Sequence, residues 1–273
     1  MVERFFDSAG KAHEQIIAPP RILSLVPSLT ELHFDLGLGE QIVGRTNFCI
    51  HPATAIANIP SVGGTKKINF DKVTALNPSH VLVNIDETPK ELAEKLSCIG
   101  IEVIVTHPLV AEDNCNLFHL IGGLFGATDR AAALTKQFNE ALAALIEKSQ
   151  AWAPQNALYL IWQNPWMSIS PDTYIADVLK QANWHILKYP SEERYPTISI
   201  DTCTLEEVDL VLFSSEPFPF NQKHLHQFQK DFPEHADKAR LIDAEMVSWY
   251  GSRSINGLRY LADFAARQSN DSD

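Results

Sequence analysis

Runs of aliphatic and β-branched residues alternate with stretches of helical spacing along this chain. Residues 21–26 (RILSLV) predict a strand, Leu29, Leu32 and Leu36 mark a helix after it, and residues 41–44 (QIVG) predict the next strand. The alternation continues with a strand over 80–85, a helix from about Lys90 to Ile99 closed by Gly100, and a strand over 102–106. Strands separated by helices imply a parallel sheet covered on its faces, an α/β class.

From about Asp129 to Gln150 the apolar residues Leu134, Phe138, Leu142, Leu145 and Ile146 recur near the helical period, and Pro154 marks the end. Some 20 residues at 1.5 Å each extend about 30 Å, enough to bridge two lobes. The pattern then restarts: strand over 156–162, helix over 174–181, strand over 185–187. Ile68-Asn69-Phe70-Asp71, followed by Val73, Leu76 and Val81-Leu82-Val83, is echoed by Ile198-Ser199-Ile200-Asp201, followed by Cys203, Leu205 and Leu210-Val211-Leu212. The strands at Ile22 and Tyr159, and the starts at Val103 and Arg240, repeat at nearly the same offset. Three ordered matches predict a duplicated lobe. The expected organisation is an N-terminal extension over 1–20, an α/β lobe over 21–126, a connecting helix over 127–153 and a second α/β lobe over 154–273. Both lobes are expected to be doubly wound with mainly parallel sheets.

Composition narrows the function. The chain has 273 residues, 45% hydrophobic and 21% charged, and 22 basic against 34 acidic side chains leave a net charge of −12. An acidic chain lacks the basic surface that binds phosphate backbones, so nucleic acid is not an expected partner. Cys49, Cys98, Cys115 and Cys203 form no CxxC pair and signal neither a zinc ribbon nor a disulfide framework. The first residues, MVERFFDSAGKAHEQIIAPP, show no basic segment followed by an apolar run, which predicts a cytoplasmic chain, or a periplasmic one if a signal has been removed. No run of 18 apolar residues exists for a membrane span. Gly63-Gly64-Thr65-Lys66-Lys67 lacks the Walker A spacing, and no nucleophile elbow, HExxH or EF-hand pattern occurs.

Four segments taken in order, RILSLVPSLTEL (21–32), VGGT (62–65) ahead of Ile68–Val73, LNPSHVLV (76–83) and WYGSR (249–253), resemble the class III solute-binding proteins. These are the vitamin B12, siderophore and haem receptors of ABC importers, and the chain looks closest to their cobalamin-binding branch. The resemblance covers about residues 20–265. It implies two α/β lobes on one rigid backbone helix, ligand held in the cleft between them, no catalysis and no required cofactor. The ligand it implies is a cobalamin, another corrinoid, haem or a ferric chelate, and a monomer is expected. Family members dock on their permease through one glutamate per lobe. Asp71 and Asp201 stand at the matching positions, one methylene shorter, which weighs against permease docking. Family members more often show Ser or Tyr followed by Asp-Tyr-Pro where this chain reads Asn47-Phe48-Cys49-Ile50-His51-Pro52.

Parallel sheets deliver ligands to the carboxyl ends of their strands, so the loops there hold the candidates. Pro27 and Ser28 follow the first strand of the first lobe, and Trp162 and Trp166 follow that of the second. Trp162, at the strand end, is expected mainly in the core, and Trp166 at the ligand, as flat apolar area for a corrin or porphyrin. Trp249 and Tyr250 precede a helix over 255–264 capped by Ser252 or Ser254, placed to stack on a ligand. Arg253 pairs either with a ligand carboxylate or phosphate or with a nearby acid such as Glu216. Arg45 and Arg194-Tyr195-Pro196 are further ligand-face candidates, while the helix dipole suffices to explain Glu31. Cys49, His51 and His107 support a second reading, a cytoplasmic metal-binding protein or enzyme on the same scaffold. More usually such histidines bond backbone groups, and either histidine is also a candidate ligand contact, including as an axial donor to corrinoid cobalt.

Overall fold

A computed structural model describes residues 3–270. The chain divides into two compact units, one of Met1–Pro108, Glu112–Phe138 and Tyr250–Arg253, the other of Leu109–Ala111, Asn139–Trp249 and Ser254–Asp273.

Unit 1 opens with an antiparallel hairpin of β1 (Arg4–Phe6) and β2 (Ala12–Glu14). Then follow β3 (Ile22–Ser24), α1 (Pro27–Asp35), β4 (Ile42–Arg45), α2 (Ala53–Ile56), α3 (Phe70–Leu76), β5 (His80–Asn84), α4 (Lys90–Cys98), β6 (Glu102–Thr106) and α5 (Asp113–Leu124). Its sheet is wholly parallel, in the order β4-β3-β5-β6. Both faces are covered, which is why the strands read as continuous aliphatic runs. Leu23, Leu25, Val73, Val81, Val83 and Leu96 form one core cluster.

The long helix α6 spans Thr128–Ser149, so the predicted bounds hold within a residue. Its 22 residues extend about 33 Å at 1.5 Å each. Unit 2 continues with β7 (Gln155–Leu160), α7 (Tyr174–Lys180), β8 (Trp184–Ile186), α8 (Thr202–Glu206), β9 (Leu210–Ser214), α9 (Gln222–Asp231), β10 (Ala239–Ile242), α10 (Ala244–Ser248) and α11 (Arg253–Asn270). Its parallel sheet has the order β8-β7-β9-β10.

The two sheets share one topology: in each, the second strand flanks the first and the third and fourth follow on the other side. The duplication read from the sequence is therefore present in the chain path, but its register at the helix before the third strand differs. Asn69 caps α3 by accepting from Lys72 N at 3.0 Å, and Asp201 caps α8 by accepting from Thr204 N at 2.8 Å. As a helix cap Asn69, not Asp71, is thus the equivalent of Asp201, and the buried Val73 matches the buried Leu205.

Residues 4–14, set apart in the sequence as an extension, are packed onto unit 1. A two-stranded hairpin is marginal by itself, and this one is held by a buried carboxylate. Asp7 accepts from the backbone N–H of Ala9, Lys11 and Val105 at 3.0, 2.9 and 3.1 Å. Ser8 N donates to Val105 O at 2.9 Å, and the His13 ring lies between Asp7 at 3.2 Å and Glu102 at 3.0 Å. Phe5 seats over Gly123, where an added Cβ would stand 2.0 Å from its ring. The first two residues and the last three of the spans assigned from sequence lie outside the described residues.

His33, on α1, is fully buried with its ring edge-on to Phe125 at 5.1 Å. Burial, outweighing the Leu29 carbonyl, lowers its pKa from 6.5 to about 4. The unfolded chain therefore binds a proton at His33 that the folded chain refuses, and stability falls as pH drops from 6.5 towards 4, by about 3 kcal/mol in all. Replacing His33 with Leu should flatten that part of the stability–pH curve in urea titrations. An unchanged difference in stability between the two proteins across this interval would refute the assignment.

Candidate functional site

The loops at the carboxyl ends of unit 1 follow β3, β4, β5 and β6. Pro27 opens α1, its missing N–H costing nothing at the first helical position. Ser28 behind it is buried, with no hydrogen-bond partner for its hydroxyl. At the end of β4, Arg45 turns its guanidinium onto the carbonyls of Thr46, Ile56 and Ile59 at 3.0 to 3.2 Å and so ties the following loop together. Phe48 and Ile50 in that loop are 59% and 47% exposed, and Ile85 after β5 is 49% exposed.

Cys49 faces the other way. Its thiol is fully buried, receives the Thr30 hydroxyl at 3.1 Å and shares a hydrogen bond with Thr46 at 3.2 Å. Burial pushes the thiol pKa up, the opposite of what a metal-binding or nucleophilic thiolate requires. His107, beside a cavity of about 160 Å³ after β6, pairs with Asp86 at 3.4 Å, while half-buried His51 sits on the loop after β4. Among the described residues no group of three His, Cys, Asp or Glu side chains is arranged to hold a metal. The metal site that the second reading would need from Cys49, His51 and His107 is not found among the described residues, and Cys49 belongs to the core.

The WYGSR segment is divided between the units: Trp249 belongs to unit 2, and Tyr250–Arg253 belong to unit 1. Tyr250, buried, donates its hydroxyl to Glu87 Oε1 at 2.7 Å. Burial and the neighbouring Glu87 carboxylate raise the phenol well above its ordinary pKa, so it remains a donor. Gly251 has φ +84°, an added Cβ would stand 3.4 Å from Leu32 and from the Ser28 carbonyl, and its N–H donates to Asn114 Oδ1 at 2.6 Å. A residue with a Cβ would be strained there. Arg253 donates through Nε and one terminal nitrogen to the two oxygens of Glu31, both at 2.7 Å, with side chains 12% and 17% exposed. The acid that Arg253 finds is Glu31, not Glu216, and Glu31 has this pairing as its reason rather than the helix dipole. Arg253 begins α11, which places Ser252 just before the helix and Ser254 inside it. Ser252 Oγ, buried, has no hydrogen-bond partner.

In unit 2 the two tryptophans exchange the places expected of them. Ile161 N donates to Met167 O at 3.0 Å and Met167 N to Trp162 O at 3.2 Å, so the chain doubles back within five residues. The turn leaves Trp162 40% exposed, edge-on to Phe218 at 5.5 Å. It folds Trp166 back against the core, stacked on Phe220 at 6.1 Å and edge-on to Phe213 at 6.3 Å. Trp249 is buried and donates its indole N–H to Glu216 at 3.3 Å. Tyr195, half-buried, lies on the loop after β8, which is pinned where Ser168 N and Ser170 N donate to Pro196 O and Arg194 O. Asp71 is exposed on α3, whereas the exposed Asp201 spends its carboxylate on Thr204. Those hydrogen bonds hold its carboxyl below the usual range.

Sequence reasoning missed Phe48, Ile50, Ile85, Glu87 and Phe218. All five follow a strand, so the rule that singled out Pro27 and Trp162 also reaches them. Apolar residues in a loop are the signal for Phe48, Ile50, Ile85 and Phe218, and nothing in the spacing marks Glu87.

Removing Arg253 strands the Glu31 carboxylate in a site with little water. Arg253→Ala should cost about 2–4 kcal/mol in chemical denaturation, and Glu31→Gln in the same background should recover part of the loss. Additive effects of the two substitutions would show that the pair is not coupled.

The periplasmic binding protein family model matches residues 22–239. A vitamin B12-binding protein of Vibrio parahaemolyticus is 21% identical over 229 residues, 84% of this chain and 82% of that protein. The periplasmic vitamin B12 binding protein BtuF of Vibrio cholerae superposes with a TM-score of 0.79 at 16% identity, covering 91% of this chain and 98% of that one. A periplasmic heme binding protein from Pseudomonas aeruginosa superposes at 0.77 and 21% identity, covering 92% and 94%.

Proposed function

The chain belongs to the periplasmic binding protein family, and we propose that it is the substrate-binding receptor of an ABC importer, with a cobalamin-like corrinoid or another metal chelate as its cargo. One observation supports this beyond the fold: within unit 1, Phe48, Ile50 and Ile85 stand exposed on carboxyl-end loops, where a bound ligand would cover them. Broad apolar area with polar groups nearby suits a corrin or porphyrin, or the apolar shell of a ferric chelate. The vitamin B12 and heme receptors that this chain resembles support the same class. The metal arrives inside the ligand, so binding requires no cofactor and no covalent step.

A permease partner belongs to the proposal, and so does a place on the periplasmic side of its membrane. No described helix is long and apolar enough to cross a bilayer. Asp71 is exposed and available for such docking, whereas Asp201 would have to release Thr204 first.

Thermal shifts against cyanocobalamin, cobinamide, haemin and ferric trihydroxamates test the reading. A true ligand at 100 times its dissociation constant should add about 2.7 kcal/mol. No shift with any of them would refute it. Trp162→Ala should weaken the binding ligand by about tenfold while leaving the melting temperature of the free protein unchanged. Trp166→Ala, by contrast, should lower that melting temperature, because it removes the ring stacked on Phe220.

A further inference from the structure

The aromatic residues behind Trp162 form a chain of rings that ends on a histidine. Trp162, exposed, meets Phe218 edge-on at 5.5 Å, and Phe218 meets Phe220 at 4.6 Å. The half-buried ring of His224, on α9, stands edge-on to both phenylalanines, at 5.2 and 5.5 Å. Phe218 N donates to Ile161 O at 3.2 Å, so the backbone sets this phenylalanine beside Trp162 and the rings behind it hold its side chain.

His224 is itself fixed by the start of its helix. Asn221 Oδ1 accepts from Lys223 N at 3.1 Å, and Asn221 N donates to Nδ1 of His224 at 3.1 Å, a reciprocal capping box. That place in the box usually holds Glu or Gln, which accept the same N–H without offering a ring. Because Nδ1 accepts, the ring proton sits on Nε2 and the imidazole is neutral. A second proton would turn this acceptor into a donor facing an N–H, at a helix end that already disfavours positive charge. Residues 218–220, which meet the ring, and 162–167, beyond them, carry no ionisable side chain. The charged and titratable neighbours along the chain are Glu216, which accepts the Trp249 indole N–H, and Lys223 and His226, exposed on α9. The segment packed along the later turns of α9 brings Glu234, His235, Asp237, Lys238 and Arg240, and both of these cations donate to backbone carbonyls. Resting on the receptor reading above, we propose that His224 is a positioning residue that makes the ligand face of unit 2 proton-sensitive. The neutral ring holds Phe218 against Trp162, and protonation withdraws that support and weakens ligand capture.

The parent chain is compared with His224→Gln and His224→Glu, which keep an acceptor for Asn221 and take up no proton between about pH 7.5 and about pH 5.5, the ordinary histidine range. Cyanocobalamin, cobinamide, haemin and a ferric trihydroxamate are the probes, titrated by calorimetry. On acidification the parent should lose about fivefold in affinity for the probe it binds, the worth of one lost cap. Both variants should bind with the same affinity at the two pH values, whatever that affinity is. In the ligand-free parent the tryptophan emission should change over the same interval, and Trp162→Phe and His224→Gln should each abolish that change. Equal parent affinity at the two pH values overturns the inference, as does a loss that persists in the variants or an emission change that survives His224→Gln. Each of these leaves the receptor reading intact. Failure of every probe to bind at either pH removes the receptor reading and this inference together.

Discussion

A parallel sheet has to send every strand back to the same starting edge, so all of its outgoing loops leave from the opposite one. Nearly everything functional in this chain depends on that constraint, applied twice. Because both sheets run in the same strand order, loops far apart in sequence, such as those after Arg45, Asn84 and Thr106, gather at one edge of their unit. Buried aliphatic strands supply the stability, and the loops are left free to carry chemistry. The exposed Phe48, Ile50 and Ile85 sit where that division of labour predicts them.

Residues of one type take different parts according to their depth. Arg253 and Arg45 serve the fold, one through a two-point ion pair and the other through backbone carbonyls. Trp162 stands in water, while Trp166 and Trp249 are held by rings and by an acid. Cys49 is a small core residue with a weakly polar tip, satisfied by two threonine hydroxyls.

Strands and the long helix were legible in the sequence because their patterns are one-dimensional. The strand over Glu102–Thr106 and the helix over Thr128–Ser149 need only local periodicity to be found. Helix Asp113–Leu124 escaped because it is buried nearly all round, leaving no polar face to set a period. The hairpin escaped because two three-residue strands carry little pattern, and its anchor is one carboxylate 98 residues from the amide at Val105. Site residues were found at the level of loops and not of side chains. Which tryptophan faces outward depends on the backbone pairing of Trp162 with Met167, and which acid meets Arg253 depends on a contact 222 residues away. Neither leaves a trace in spacing.

The Asp7–Ser8 corner has a bearing on self-association. Strand Glu102–Thr106 lies at the rim of its sheet, and the outward amide and carbonyl of Val105 are both engaged by that corner. Unengaged, they would offer a template on which a second chain could add a strand. A short N-terminal clasp therefore does for this rim what charged or kinked edge strands do elsewhere: it occupies backbone groups through which a second chain could add.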